Sequence, residues 1–303
     1  MSLEESDETR EYTTAALRQA PIGVIDSGVG GLSILRELHH LMPNEDYVFL
    51  ADQAHVPYGE KSLAQVRSYT EGITRFLLNE GYKLAGLQLP VKLIVIACNT
   101  ASAAALHELR RQFPQIKFVG MEPAVKPAAE RTRTGVIGVI ATAATFQGKL
   151  YASLLDRFAT TVEVQTRACP EFVALVERGG PYDNGDRAIV ASALSPLLET
   201  GIDQLVLGCT HFPFLQPLIE EVIAEAGRMV AIVDPSAAVA RQARRVLERK
   251  EAYRNIAQPG RTVYLTTGDL PKFRSYIQTL LDTRDLPPMQ GLDWQAGQQL
   301  GLR

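Results

Sequence analysis

The stretch LIVIACNTAS at residues 93–102 places four apolar residues, three of them β-branched, and one alanine before a cysteine and a run of small and polar residues. A short apolar run that ends in turn and cap residues is typical of a buried parallel strand leading into a helix. Cys98 is then predicted just past the carboxyl end of a strand, where open α/β sheets bind ligands. This makes Cys98 the first candidate site residue.

The same pattern recurs at residues 205–211, LVLGCTH, where an apolar run again ends in a cysteine. Cys98 and Cys209 are each followed by a pair of hydrogen-bonding residues. These pairs are Asn99-Thr100 and Thr210-His211. Because the N-terminus of a helix lowers the pKa of a thiol there, we expect both thiols to be more acidic than an isolated cysteine. The third cysteine, Cys169, is interpreted as a small buried apolar residue.

Length and composition restrict the class of protein. The chain has 303 residues, enough for two domains of ordinary size. Hydrophobic residues make up 46% and charged residues 21%, which is typical of a soluble globular protein. The formal net charge is -3 and the basic residues are scattered, so no nucleic-acid partner is expected. No apolar run approaches the roughly 18–20 residues of a membrane span, so no membrane contact is expected either.

The first twenty residues, MSLEESDETREYTTAALRQA, are polar and acidic. They lack the basic and apolar regions of a secretory signal, and we expect residues 1–20 to be a disordered or loosely attached extension. The three cysteines form neither a CxxC pair nor a metal-ligand spacing, so no metal site is predicted. An odd number of cysteines without a signal favours reduced thiols and a cytoplasmic location.

Strand-like and helix-like segments alternate along the whole chain. The predicted strands at residues 22–25 and 135–141 are each followed by a turn, a helix and, later, a strand that ends in cysteine. This alternation predicts an α/β fold of two similar three-layer lobes, with mostly parallel sheets and a cleft between them. Such clefts commonly hold small-molecule sites. The polar tail, residues 285–303, is predicted to be loose.

Two loops at predicted strand ends add candidates. In DSGVGG, residues 26–31, the glycines let the backbone approach a ligand, but their spacing fits the dinucleotide motif GxGxxG poorly. Asp26 would also repel a pyrophosphate and better suits a base or a partner for a substrate ammonium group. For QAHVPYG, residues 53–59, the sequence leaves the choice between a binding loop and a plain surface turn open.

The strand ends also offer anion binding. Backbone N–H groups at the start of a helix bind carboxylates. Side chains that can add donors are Ser27, Asn99, Thr100 and Thr210. Two such sites facing each other would suit a substrate with two carboxylates.

Paired thiols predict proton chemistry rather than acyl transfer. A nucleophilic enzyme needs one thiol with a histidine base, whereas two opposed thiols can remove a proton from one face of a carbon and return one to the other. Asp26 and His211 are the candidates that would take protons from Cys98 and Cys209. For His211, a capping or structural role is the alternative.

Four motifs resemble those of the cofactor-independent glutamate racemases. They are DSGVGG at residues 26–31, PYG at 57–59, ACNTA at 97–101 and GCTH at 208–211. The similarity runs in register from about residue 21 to residue 234. It implies interconversion of L- and D-glutamate without a cofactor, supply of D-glutamate for peptidoglycan, and assembly as a homodimer.

The resemblance also implies residue roles and domain boundaries. Cys98 and Cys209 would be the two proton donors and acceptors, assisted by Asp26, Glu177 and His211. The implied substrate-binding residues are Asp26, Ser27, Tyr58, Gly59, Asn99, Thr100, Thr145, Thr210 and His211. The first lobe would be discontinuous, with residues 21–120 and 233–303, and the second would contain residues 121–232.

The sequence departs from the family pattern in three places. His55 stands where arginine is usual, Gln53 stands where a small hydroxyl residue is common, and Ala143-Ala144 replaces a more glycine-rich turn. The contacts of these loops near the cleft therefore stay open.

Two rival functions also stay open at this point. One is a racemase for aspartate, or a related decarboxylase or isomerase of the same fold. The other is a two-lobed small-molecule binding protein. The paired thiols and the missing secretory signal count against the binding protein.

Overall fold

The computed structural model describes residues 14–79, 83–158, 162–254, 256–284 and 287–303. Its strands are β1 (Ile22–Asp26), β2 (Tyr47–Ala51), β3 (Lys83–Leu84), β4 (Leu87–Gln88), β5 (Leu93–Ile96), β6 (Lys117–Gly120), β7 (Val136–Ala141), β8 (Glu163–Ala168), β9 (Gln204–Gly208), β10 (Ala231–Val233), β11 (Thr262–Thr266), β12 (Met289–Gln295) and β13 (Gln299–Leu302). Its α-helices are α1 (Thr14–Gln19), α2 (Leu32–Leu41), α3 (Leu63–Leu77), α4 (Asn99–Gln112), α5 (Val125–Arg131), α6 (Ala143–Gln147), α7 (Lys149–Phe158), α8 (Pro170–Arg178), α9 (Asn184–Glu199), α10 (Gln216–Glu225), α11 (Ser236–Arg249) and α12 (Leu270–Leu280). Short 3-10 helices cover Tyr58–Glu60 and Phe212–Leu215.

Among the described residues, the larger sheet has seven strands in the order β13-β12-β11-β2-β1-β5-β6. β1 is parallel to β2 on one side and to β5 on the other, so that Ile22 lies beside both Tyr47 and Leu93. β11 is parallel to β2 and to β12, whereas β12 and β13 form an antiparallel edge.

The smaller sheet contains β10, β9, β7 and β8 in that order, and all its pairs are parallel. Its strands come from residues 136–233, while the larger sheet takes its strands from residues 22–120 and 262–302. The chain is thus an α/β protein with parallel sheets in two domains, as predicted. The exact boundaries, 21–120 with 233–303 and 121–232, stay a proposal that this division of strands supports.

Helices cover both faces of the larger sheet because successive strand residues point to opposite sides. Val24 is buried in one apolar cluster with Leu35 of α2, and the next residue, Ile25, is buried in another with Ile73 of α3. Strands buried on both faces are apolar almost throughout, which explains runs such as LIVI in β5. Within the described residues, no helix is both long and apolar enough to cross a membrane.

The prediction of a loose tail over residues 285–303 is wrong for residues 289–302, which form the β12–β13 hairpin at the edge of the larger sheet. Residues 285 and 286 lie outside the described residues. Leu292 and Leu300 are buried against the α3 side of the core, and Arg303 lies 2.8 Å from Asp293. The segment has a polar composition because few of its side chains are buried. Composition alone therefore did not indicate its two strands.

The predicted extension is only partly within the described residues, because residues 1–13 lie outside them. Residues 14–19 form α1, which corrects the expectation of disorder there. The buried Lys92 Nζ donates to the Arg18 carbonyl of α1 at 3.0 Å and to the buried Glu45 carboxylate at 2.5 Å. Pairing offsets the unfavourable burial of both charges, and it ties α1 to the first lobe.

The packing of α3 on the hairpin can be tested at Gly72. An added Cβ there would collide with the Gln298 carbonyl oxygen and the Trp294 ring. We expect Gly72→Ala to lower the free energy of unfolding by about 1–3 kcal/mol, because overpacking outweighs the better helix propensity of alanine. Denaturant titration followed by circular dichroism measures this. Ser68→Ala, one turn earlier, should change it by less than about 0.5 kcal/mol, and equal losses in both variants would contradict the close contact.

Candidate active site

A small cavity lies where the two lobes meet, lined by residues that follow strands of both sheets. Nine predicted site residues line it: Ser27, Tyr58, Gly59, Cys98, Asn99, Thr100, Cys209, Thr210 and His211. The space open to the centre of a water-sized sphere is about 10 Å³, which holds roughly one water molecule. The structure therefore brings the two thiols, which are far apart in sequence, to the same small cavity.

Cys98 lies just after β5 and caps the N-terminus of α4. Its Sγ accepts the Ala101 N–H at 3.4 Å, and its thiol donates to Ser27 Oγ at 3.8 Å. Burial, followed by the charge of Asp26, raises the pKa of the Cys98 thiol to about 12. The expected acidic thiol is therefore wrong for Cys98, since one N–H donor at the helix end lowers the pKa less than burial raises it.

Cys209 follows β9 and lies beside an ion pair of the second lobe. Its Sγ lies 3.7 Å from His211 Nδ1, and His211 Nε2 lies 2.8 Å from Glu177 Oε1. Burial acts to lower the pKa of His211, but hydrogen bonds with Cys209 and Glu177 outweigh it and raise that pKa well above the usual range. Burial raises and the His211 contact lowers the pKa of Glu177, with a net lowering. The His211 side chain makes no capping hydrogen bond.

Asp26 is the last residue of β1 and is almost completely buried. Its Oδ2 accepts the Gly28 N–H at 3.0 Å, and its Oδ1 accepts the Thr210 hydroxyl of the second lobe at 3.1 Å. Burial, opposed by the nearby His211, raises the pKa of Asp26 to about 6. Asp26 can therefore hold or release a proton close to neutral pH, as its proposed assisting role requires.

The glycines of the 26–31 turn make room for protein side chains. An added Cβ at Gly28 would collide with Glu177 Oε1, and one at Gly30 would collide with the His211 ring. The Val29 N–H donates to the same Glu177 oxygen at 2.9 Å. The sequence predicted that these glycines let the backbone approach a ligand. In the structure, they let it approach side chains of the second lobe.

The other predicted residues have distinct positions. Thr145 is buried behind the lining, with its hydroxyl 2.9 Å from Thr142 Oγ1 and 3.4 Å from Thr100 Oγ1. Asn99 Nδ2 donates to the Gly208 carbonyl at 2.5 Å, and its buried Oδ1 has no hydrogen-bond partner within the described part of the chain. Tyr58 lines the cavity, so the 53–59 loop forms part of its wall.

Three lining residues were not predicted: Pro57, Thr142 and Val173. Thr142 follows the apolar strand β7, and its hydroxyl caps α6 by accepting the Thr145 N–H at 3.3 Å. A polar residue at a strand end was the signal used for Cys98, and it could have identified Thr142. Val173 is an apolar residue of α8 without any comparable signal.

Known proteins share this architecture. The family model for Asp/Glu/Hydantoin racemases matches residues 22–243. A relative from Ectopseudomonas mendocina, named glutamate racemase, is 46% identical over 264 residues, which cover 87% of this chain and 95% of that protein. The chain therefore belongs to the Asp/Glu/hydantoin racemase family.

Solved structures agree with this assignment. Glutamate racemase isoform RacE1 from Bacillus anthracis superposes with a TM-score of 0.78 at 30% identity, covering 91% of this chain and 98% of that one. The glutamate racemase of Francisella tularensis, solved in complex with D-glutamate, gives a TM-score of 0.75 at 29% identity, with coverages of 90% and 96%.

The charge of Asp26 predicts a pH effect on stability. Because its pKa is raised from 3.8 to about 6, the folded chain binds more protons than the unfolded chain between these values. The contribution of Asp26 to the free energy of unfolding is therefore present below about pH 4 and lost as pH rises to about 6. Relative to the parent, Asp26→Asn should gain up to about 3 kcal/mol over this interval, at about 1.4 kcal/mol per pKa unit. Denaturant titrations across it measure the gain, and a constant difference would contradict the buried carboxylate.

Proposed function

We propose that the chain interconverts L- and D-glutamate, with Cys98 and Cys209 as acid and base on opposite sides of the α-carbon. The observation that carries this proposal is that both cysteines line one small cavity between the lobes. Membership of the racemase family, and the name of the relative that matches most of the chain, support the substrate.

The chemistry is a transfer of two protons. One cysteine, as thiolate, takes the α-proton of glutamate and becomes a thiol, which leaves a carbanion delocalised onto the α-carboxylate. The opposite thiol gives its proton to the other face of the carbon and becomes a thiolate. The reverse reaction starts from this exchanged protonation state. Each direction therefore regenerates the protonation state that the other direction requires.

The different surroundings of the two thiols bear on where protons are held before substrate binds. Cys98, with a pKa of about 12, holds its proton. Cys209 Sγ lies 3.7 Å from Nδ1 of His211, whose pKa is raised well above its usual range, so a positive charge is available beside this sulfur. Asp26 interacts electrostatically with Cys98 and is the carboxylate proposed to exchange a proton with it.

Substrate binding can use groups that the fold leaves available. The α4 N-terminus begins in the cavity wall and offers its positive end to a carboxylate. The buried Asn99 Oδ1, an acceptor without a partner in the described residues, suits the substrate ammonium group. Hydroxyl groups of Thr100 and Thr142, 2.9 Å apart, can serve the second carboxylate.

Glutamate is much larger than the one water molecule that the cavity holds. The lobes must therefore separate to admit it and close over it, which would exclude water from the carbanion. The chain passes between the lobes after β6 and after β10, and these two connections are the natural hinge.

The family resemblance also supports a proposal for the location, metabolic role and assembly of the protein. It supports a cytoplasmic enzyme that supplies D-glutamate for peptidoglycan and acts as a homodimer without a cofactor. Sedimentation equilibrium tests the assembly, and a monomer over the whole concentration range would exclude the dimer.

The direct test follows racemisation by circular dichroism. Purified chain with L-glutamate, and separately with D-glutamate, should bring the circular dichroism signal to zero with no cofactor added. Aspartate assayed in parallel tests the rival substrate, and racemisation of aspartate alone would reject the proposal.

Replacing either thiol should abolish racemisation. Cys98→Ala and Cys209→Ala each remove one of the two proton carriers, so we expect inversion to become undetectable while the fold is kept. Cys169→Ala, which changes a buried cysteine outside the cavity lining, is the matched control and should retain the parent rate. In deuterated solvent, the parent should incorporate deuterium at the α-carbon as it racemises. Parent-like rates in both cavity variants would refute the two-thiol scheme.

The charge on Glu177 should matter for turnover. Glu177→Gln keeps the side-chain shape but removes the charge that holds His211 protonated beside Cys209, so kcat should fall roughly tenfold or more. Steady-state kinetics measure this, with the Glu171→Gln variant of the same helix as control. Equal kcat in all three proteins would show that the His211 charge has no part in turnover.

A further inference from the structure

A further buried carboxylate lies beside the site and has no part in the proposed proton transfers. Asp52 follows β2, the strand paired with β1, and its N–H donates to the Asp26 carbonyl at 3.0 Å. Its side chain has no solvent exposure. A buried charge of this kind persists only when donors surround it.

The donors come from three separate segments of the first lobe. Asp52 Oδ2 accepts the Tyr58 hydroxyl at 2.7 Å and lies 2.9 Å from His55 Nδ1. Its Oδ1 accepts the Trp294 indole N–H at 2.7 Å and the Thr267 hydroxyl at 2.8 Å. One carboxylate thus joins the 53–59 loop, the end of β11 and the C-terminal hairpin.

Tyr58 is the member of this group that reaches the cavity. It belongs to the cavity wall together with Gly59, and it is almost fully buried. Burial, and then the charge of Asp52, raise the pKa of Tyr58 far above its usual range, so its hydroxyl stays protonated and donates. The position of the phenol is therefore set by Asp52.

Aromatic packing adds to the hydrogen bonds around Asp52. His55 stacks on Tyr69 of α3 with ring centroids 3.8 Å apart, and it meets the Trp294 ring edge-on at 5.2 Å. Trp294 is half-buried in β12, which is anchored in the larger sheet through β11. The loop bearing Tyr58 is thus tied to α3 and to the edge of the larger sheet.

We propose that Asp52 is a positioning residue for the racemisation: it holds the Tyr58-Gly59 wall against the substrate, and Trp294 anchors it from the C-terminal hairpin. The inference rests on the proposed function of the site. Asp52 itself lies behind Tyr58 and acts through it. A purely structural carboxylate would instead affect folding without acting on substrate affinity through Tyr58.

A double-mutant cycle separates these two roles. Asp52→Asn removes the charge that fixes the phenol, and Tyr58→Phe removes the hydroxyl that it fixes. Each should raise KM for both enantiomers roughly tenfold, the net value of a hydrogen bond to a charged group, with kcat changed much less. Because both remove the same interaction, the double variant should match the single ones within about threefold. Independent effects would multiply to roughly a hundredfold, and that result would overturn the proposal, as would an unchanged KM in Asp52→Asn.

The controls keep the test decisive. Asp203 accepts hydrogen bonds from Thr132, Arg133 and Thr134 at the opposite end of β9, so Asp203→Asn should alter stability but leave KM unchanged. If Asp52→Asn fails to fold, Trp294→Phe removes one donor to Asp52 and keeps an aromatic ring. It should raise KM severalfold in the parent and have no effect in the Tyr58→Phe background, and any other pattern rejects the proposal.

Failure of this inference is distinguishable from failure of the proposed function. A parent protein that does not racemise glutamate contradicts the function itself. A parent that racemises, with an Asp52→Asn variant of unchanged KM, contradicts only the role of Asp52.

Discussion

The two lobes meet around a charge that neither could bury alone. Glu177, from the second lobe, accepts the Val29 N–H of the first lobe at 2.9 Å and pairs with His211 at 2.8 Å through the same oxygen. Burying a charge costs several kcal/mol unless it is paired and hydrogen-bonded. Tyr276 of α12 adds a hydrogen bond to the Glu177 carbonyl, again across the lobes. The Glu177 side chain therefore contributes both to the contact between the lobes and, together with Cys209, to the raised pKa of the imidazole beside that thiol.

Much of this arrangement was predictable because parallel strands impose it. Apolar runs that stop at a polar or thiol residue mark the carboxyl ends of buried strands, and these ends collect at one edge of each sheet. Cys98 and Cys209 were found by that rule, as were Asp26 and the pairs that follow the thiols. The rule also explains why residues more than a hundred positions apart can share a cavity that holds about one water molecule.

What the sequence did not predict depends on context that no local pattern carries. The thiol pKa of Cys98 was expected to be low from its helix N-terminus, but desolvation in the cavity dominates. The β12–β13 hairpin is polar on its exposed positions, so its strands were mistaken for a loose tail. The donors around Asp52 come from segments that only the folded sheet brings together. Val173 reaches the cavity through the packing of α8, and periodicity alone cannot show this.

The two similar lobes each supply one thiol, yet the charges around the two thiols differ. The proposed reaction is compatible with this difference. Enantiomers have equal free energy in water, so the proposed two-thiol catalysis has to run from either protonation state of the pair. The pKa of about 12 at Cys98 favours the state in which Cys98 holds its proton. The other state needs a nearby group that can take up or return a proton. Asp26 interacts electrostatically with both Cys98 and His211, but its pKa of about 6 lies about six units below that of Cys98, so taking the Cys98 proton costs roughly 8 kcal/mol in the absence of substrate. In the proposed two-thiol scheme the asymmetry therefore favours one resting state, and the reverse direction carries this cost.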